Sequence, residues 1–299
     1  MMAVPEAFRS YGDERLQQAP AFGHGKDGVF EATLVRETGG ETRLLRDYTK
    51  VPYHLTGTLD NDPAPGLTTL CLQEPTGGVA QGDRHSINVE ARADARAHLT
   101  TQSATKVHSM RANYAHLDAT LEAGPNAHLE YLPGPTILNE EARCLQTTTV
   151  DLAESGSVIV GDLMVPDGLS DHDPFSFDHY HTRLEARHEE RLICADAVDL
   201  RPSDRQPQDP ATVGEYGIIG TLYVLAPSED VESISDAIYN QLADNESTEA
   251  GASELPYGSG VTVRILGHRS ADVTNAMTTA WDTARKAILG VGAPADRRY

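Results

Sequence analysis

From residue 29 to about residue 226 the chain is written in short runs rich in Val, Ile, Thr and Leu, and each run is cut by Gly, Pro, Asp or Asn. The runs fall at residues 29–36, 68–72, 87–91, 97–101, 115–121, 128–132, 144–152 and 158–165. Repeated short runs with turn residues between them are the pattern of strands in a sandwich, a barrel or a β-solenoid. No repeat of fixed length is visible. The period changes after Pro227, where Val231, Ile234, Ile238 and Leu242 recur at helical spacing behind Ser228 as a cap, with Glu229 and Asp230 in the first turn. The acidic, Gly- and Ser-rich stretch 245–260 reads as a loop, and 261–266 as one more strand. A second helix follows, capped by Ser270, with Val273, Met277, Trp281, Ala284 and Ile288 on one face, Arg285 and Lys286 in its last turn, and Gly290 as its stop. The expected fold is mainly β, an irregular β-helix or β-sandwich-like body with two C-terminal-region α-helices. Residues 1–28 read as a loose leader, 29–290 as a single domain and 291–299 as a tail.

Charge narrows the function. The chain of 299 residues carries 45 Asp and Glu against 24 Lys and Arg, a formal net charge of −21. Nucleic-acid binding needs a basic footprint and membrane-surface binding needs basic or amphipathic stretches, so both partner classes drop out. The only lysines are Lys26, Lys50, Lys106 and Lys286, which with the acidic excess describes a halophilic-type acidic protein whose self-repulsion is screened by salt. Cys71, Cys144 and Cys194 are far apart and odd in number, which fits a reducing cytoplasm better than a disulfide framework. The longest apolar stretch, 216–226, is far below the roughly 20 residues that a spanning helix requires.

The search for chemistry first removes possibilities. Neither G-x-x-x-x-G-K-[ST] nor G-x-G-x-x-G occurs, and there is no G-x-S-x-G elbow. His188-Glu189-Glu190-Arg191-Leu192 begins like a zinc-peptidase motif but has Leu192 where the second ligand belongs. A local metal candidate is Asp178-His179-Tyr180-His181, because on a strand His179 and His181 share a face; Asp171, His172 and Asp173 are the nearby residues that could complete it. In a chain this rich in acids and histidines, the plainer reading of that pair is a solvated strand.

The most informative stretch is Pro75-Thr76-Gly77-Gly78-Val79-Ala80-Gln81-Gly82-Asp83, a tight turn that needs positive φ and close backbone approach. It is followed by Thr100-Thr101-Gln102-Ser103-Ala104-Thr105-Lys106 and then by Leu129-Glu130-Tyr131-Leu132-Pro133. In this order and at these separations the three segments resemble the urease accessory protein UreD family, called UreH in some bacteria. The likeness continues through Gly161-Asp162-Leu163-Met164, Phe175-x-Phe177, Arg183-Leu184-Glu185 and Ala280-Trp281-Asp282, and departs from the family's usual residues at Thr76 and His108. Gly77, Gly78, Gly82, Lys106, Glu130 and Pro133 are then structural motif residues, with Lys106 pairing an acid to hold the turn.

The resemblance implies a non-enzymatic chaperone and scaffold that joins apo-urease to UreF and the GTPase UreG. Its fold would be an irregular β-helix with two helices. No cofactor would be tightly bound, and Ni²⁺ would be a transient passenger. Weak oxygen donors suit a conduit better than a closed His or Cys cage. Asp83, Thr105, Asp162 and Asp196 are the conduit candidates, because each lies inside a family-like segment beside Gly turns or apolar runs, where burying a carboxylate requires compensation. The competing reading is that the four cap turns or satisfy backbone N–H groups. A rival class is a metal-dependent β-barrel enzyme using His179 and His181. The purified protein is expected to turn over neither GTP nor urea; GTP hydrolysis that persists free of contaminating UreG and is lost on mutating this chain contradicts the reading.

Overall fold

The computed structural model describes residues 2–14, 25–166 and 174–294. In chain order its elements are helix α1 (Glu6–Asp13), then strands β1 (Asp27–Arg36), β2 (Thr42–Lys50), β3 (His54–Leu59), β4 (Leu67–Gln73), β5 (Arg84–Ala91), β6 (Arg96–Thr101), β7 (Thr105–Val107), β8 (Ala115–Ala123) and β9 (His128–Leu132). They continue with β10 (Thr136–Leu138), β11 (Arg143–Leu152), β12 (Ser157–Pro166), β13 (His179–His188), β14 (Arg191–Leu200), β15 (Ile218–Leu225), α2 (Val231–Leu242), β16 (Thr248–Glu254), β17 (Gly260–Gly267) and α3 (Ser270–Leu289).

The chain coils between two sheets. One runs β14-β13-β11-β8-β5-β1-β2 and the other β16-β17-β15-β12-β9-β6-β4-β3, so β4, β6, β9 and β12 alternate along the sequence with β5, β8 and β11 in the opposite sheet. Successive coils stack in parallel: β5 on β8, β8 on β11, β6 on β9 and β9 on β12. Antiparallel strands finish each end, and neither sheet closes on itself, so the body is a β-solenoid and not the barrel of the rival reading. Side chains stacked on neighbouring coils are 29 to 32 residues apart, as in His128 to Ser157 and His98 to Glu130. That variation hides the repeat from sequence.

Burial follows from which faces are covered. On β5 it alternates, with His85, Ile87, Val89 and Ala91 inside. On β15 every residue is buried, because one face meets the opposite sheet and the other meets α2 and α3. Phe30, Leu70, Leu99, Leu121, Leu129 and Val150 meet between the sheets. On the outer face of the second sheet, Ile234 and Ile238 of α2 pack with Val273, Ala276 and Ala280 of α3 against Leu222 and Val263. Helix α3 lies flush because Gly220 and Gly267 are beneath it; a Cβ there would meet Val273 at 2.7 and 2.6 Å.

Several elements differ from the sequence expectation. Residues 6–13 form helix α1 where a loose leader was expected, and Phe8 is fully buried against Tyr114 and Leu145. Residues 15–24 and 295–299 lie outside the described residues. The expected loop at 245–260 contains β16, an edge strand of small and acidic residues paired with β17; its outer side has nothing to bury, so it lacks an apolar signature. Asp230, not Ser228, caps α2, accepting the Ser233 N–H at 3.2 Å, and α3 starts after Arg269 without a side-chain cap. Gly290 ends α3 in the left-handed region, as expected.

Arg285 is the largest difference. Expected in an ordinary last turn, its side chain is fully buried. It donates to both Asp62 oxygens at 2.6 and 3.0 Å and to Glu130 Oε2 at 3.2 Å. Glu130 also meets His98 Nδ1 and His128 Nε2, each at 2.9 Å, and His128 Nδ1 reaches Ser157 Oγ at 2.8 Å. Burial alone raises the Glu130 pKa, but the His128 and His98 hydrogen bonds reverse this and hold it well below the usual carboxylate range. Replacing Arg285 by Met strands two buried carboxylates and is expected to destabilise by about 3–5 kcal/mol in chemical denaturation. Adding Asp62→Asn and Glu130→Gln should recover part of that loss; a loss below about 1 kcal/mol for the single change contradicts the role given to this cluster.

Candidate functional site

The glycine-rich turn is locked by its own aspartate. The Asp83 carboxylate accepts the backbone N–H of Lys26 at 2.7 Å and of Ala80 at 2.9 Å, and Lys26 Nζ lies 3.4 Å away. Gly78 has φ near 123°, and a Cβ there would meet the Lys106 carbonyl at 2.2 Å. That close approach lets Val79 donate to the same carbonyl at 2.7 Å. Lys106 is exposed and makes no ion pair among the described residues; the lysine that meets the acid is Lys26. For Asp83, therefore, the turn-capping geometry prevails.

Thr105, Asp162 and Asp196 come together in a different way. Between the sheets is a cavity of about 50 Å³ whose polar lining includes Glu74, His85, Thr105 and Gln146. A second, of about 10 Å³, is lined by Asp162, Thr182, Asp196 and Tyr223, and the two share Tyr131, Gln146 and Thr148 as walls. The smaller has room for about one water molecule. The two neighbouring cavities place oxygen donors on the β7 side of the body and at the junction of β14 and β15.

Each carboxylate among these donors has a defined setting. Asp162, half-buried on β12, accepts Gln146 Nε2 and the Tyr180 hydroxyl, both at 3.1 Å. Burial pushes its pKa up, and the Gln146 and Tyr180 hydrogen bonds only partly oppose that. Asp196 on β14 accepts the Tyr223 hydroxyl at 2.6 Å and is ion-paired with Arg264 of β17, so it ties the edges of the two sheets together. On the outer face of the same sheet, apart from these donors, Asp118 accepts from Thr147, whose oxygen also meets His116 Nε2 at 2.8 Å. Burial lowers the His116 pKa, leaving the ring neutral at pH 7.

Sequence reasoning missed Gln146 and Glu74. For Gln146 the available signal was the period of two along 144–152, which puts Gln146 and Thr148 on the same face as the apolar Cys144, Val150 and Leu152.

The His179 and His181 pair lies on β13, as expected, but on the outer face of its sheet, opposite Tyr180. Both imidazoles are buried. Asp171, His172 and Asp173 lie outside the described residues, whereas Asp178 pairs with Arg143 at 2.9 Å. The third group is Asp199 of β14, which sequence spacing did not reveal. Its Oδ1 is 3.1 Å from His179 Nε2 and its Oδ2 is 3.2 Å from His181 Nδ1. The Phe8 ring of α1 covers His179 at a centroid distance of 4.3 Å. Burial pulls the His179 pKa down to about 4, Asp199 opposing only in part.

The coiled sheets and their polar interior cavities define the chain as a β-solenoid protein. It belongs to the UreD family: the family described as UreD urease accessory protein matches residues 27–298. It is 71% identical over 299 residues to the urease accessory protein UreD of Natronomonas pharaonis, covering 100% of each chain. It is 59% identical to that of Haloquadratum walsbyi over 291 residues, 97% of this chain and 95% of the other. To that of Mycolicibacterium gilvum it is 31% identical over 274 residues, 91% and 97% of the two chains. Membership of this family supports a role in urease maturation. No described helix is long and apolar enough to cross a membrane.

The raised Asp162 pKa gives a signed prediction. The folded state holds this proton above the pH at which an unfolded Asp releases it, so stability falls as pH rises from about 4 towards the raised value. Asp162→Asn removes that loss and is expected to raise the melting temperature at pH 7 by about 2–4 °C, with no gain below pH 4. Calorimetry at the two pH values tests it; equal effects at both contradict it.

Proposed function

We propose that this protein is a cytoplasmic urease-maturation chaperone, a scaffold that joins apo-urease subunits to UreF and the GTPase UreG and delivers nickel to the urease active site. The observation that carries the reading is the set of oxygen donors between the sheets, including Thr105, Gln146, Asp162 and Asp196. Ni²⁺ is cargo in this scheme. Carboxylate, amide and hydroxyl oxygens bind it weakly enough for release, whereas a closed cage of imidazoles or thiolates would retain it. A raised Asp162 pKa marks a carboxylate short of positive charge, which a passing cation supplies.

No catalytic residue is assigned to this chain, and GTP hydrolysis is the work of UreG. The scaffold role itself supports the expectation of a soluble complex when this chain is produced with UreF and UreG, assayed at high salt so that its charge of −21 is screened.

The decisive experiment narrows the passage without touching the exterior. Thr148→Phe fills the wall shared by the two cavities, and Asp162→Asn removes the carboxylate while keeping its shape. Each variant is produced with UreF, UreG and urease; complex assembly is checked by pull-down, and the nickel content of the urease is measured. Both variants are expected to assemble and to lower nickel loading by roughly tenfold, about 1.4 kcal/mol of coupling. Normal loading with an assembled Thr148→Phe complex removes the conduit and leaves the scaffold; failure of the wild-type chain to assemble removes the scaffold as well.

A further inference from the structure

We propose that His179, His181 and Asp199 form an exchangeable, low-affinity site for a divalent transition-metal ion on the outer face of the solenoid, and that Arg201 is its built-in competitor. The site stands independently of the interior passage, since β13 turns Tyr180 inward and both histidines outward.

The first argument is spacing. One nitrogen of each ring and one oxygen of Asp199 lie within 4.8 Å of one another. The carboxylate bridges the rings, with His179 Nε2 at 3.1 Å from Oδ1 and His181 Nδ1 at 3.2 Å from Oδ2. Ligand atoms held 2.0–2.2 Å from one ion stand about 3.0–3.4 Å apart when adjacent, so small shifts convert this arrangement into a three-ligand shell. Two imidazoles and a carboxylate favour Ni²⁺, Zn²⁺ or Co²⁺ over Mg²⁺ and Ca²⁺.

The second argument is what the rings do not do. His179 Nδ1 and His181 Nε2 are buried and have no hydrogen-bond partner. Imidazoles buried only to fasten elements together ordinarily use both nitrogens. Here the nitrogen of each ring that does have a polar neighbour faces the same carboxylate.

The third argument is charge. Arg201 Nε donates to His179 Nε2 at 3.2 Å and to Asp199 Oδ1 at 3.1 Å. A guanidinium thus occupies the position that a cation would take between the two groups. The Arg201 side chain is 36% exposed and that of Asp199 is 40% exposed, so the guanidinium can swing into solvent and an ion can enter by the same route. Phe8 and Tyr11 of α1 close the apolar side, at centroid distances of 4.3 and 5.8 Å from His179. Metal and guanidinium exclude each other, which keeps affinity low and exchange fast.

The test uses the full-length protein at high salt in excess Mg²⁺, to suppress binding by its many surface carboxylates. Co²⁺ is titrated with its visible absorption as readout, and Ni²⁺ by calorimetry. The wild type is expected to bind one ion weakly. Arg201→Gln, which keeps a planar polar group but removes the competing charge, should tighten binding by about tenfold or more. Asp199→Asn and His181→Gln should abolish the Co²⁺ spectrum, with circular dichroism confirming the fold. Unchanged affinity in Arg201→Gln, or a wild-type spectrum in folded Asp199→Asn, overturns the proposal, as does binding that vanishes in excess Mg²⁺. A gain of affinity in Arg201→Gln cannot arise from misfolding, so the test remains decisive if His181→Gln fails to fold.

Discussion

A single buried guanidinium holds the α-helical layer to the solenoid. Arg285 is on α3, Asp62 in the connection between β3 and β4, His98 on β6, His128 and Glu130 on β9, and Ser157 at the start of β12. Burying an ion pair gives little net stability against an apolar equivalent, but removing one member leaves a charge with no solvent and no partner. The cluster therefore acts mainly as a positional constraint. Only one placement of α3 and one register of the coils satisfy every member, and the Trp281 ring stacked on His98 at 5.2 Å holds the imidazole in that placement. Apolar packing of α3 on β15 and β17 supplies the bulk of the adhesion but tolerates sliding; the ionic cluster does not.

That constraint bears on the polar interior between the sheets. The coils can keep polar groups inside only if neighbouring strands hold them in matched positions, since an unmatched interior oxygen would lose its partner. Gln146 shows the dependence. It lies on β11, donates to Asp162 on β12, and accepts from Thr136 on β10 at 3.4 Å, so one amide spans three strands and two sheets. At the far edge, Asp196 joins β14 to β15 and β17 through Tyr223 and Arg264. The Asp196 carboxylate is already paired with a cation and the Asp162 carboxylate is not, which sets the two acids apart electrostatically.

What could be read from sequence follows burial. Many strands with an apolar face were legible: the runs beginning near Val29, Thr68, Ile87, Ala97, Ala115, His128, Cys144 and Val158 coincide with β1, β4, β5, β6, β8, β9, β11 and β12, whereas β13 and the fully buried β15 were not among the named runs. Strands at the sheet ends were not legible, because β2, β3 and β16 have a side with nothing to cover and their residues turn polar. Arg285 was hidden for a related reason, since Arg at the end of a helix ordinarily favours the helix dipole from the surface. Nothing local distinguishes it from Lys286, which is exposed. At the site, Asp162 and Asp196 could be named because they interrupt apolar runs. Asp199 could not, because its meeting with His179 and His181 depends on the antiparallel pairing of β13 with β14, which places His181 opposite Asp199.

The two metal chemistries suggested by this fold are separated by the pleat of one strand. Along β13, Tyr180 points between the sheets to Asp162, while His179 and His181 point outward to Asp199. A period of two thus puts hard oxygen donors on one side of the sheet and imidazoles on the other, with the same backbone between them. Imidazole nitrogens hold a divalent transition metal more tightly than carbonyl or hydroxyl oxygens do. An outer site of that kind would trap a cargo ion unless something opposed binding, and the charge of Arg201 supplies that opposition from within the site itself. In the proposed interior conduit no such competitor is needed, because hydroxyl and amide oxygens are weak donors. Under the proposed delivery role, the two sides would hold an ion loosely by opposite means: competition outside and poor donors inside.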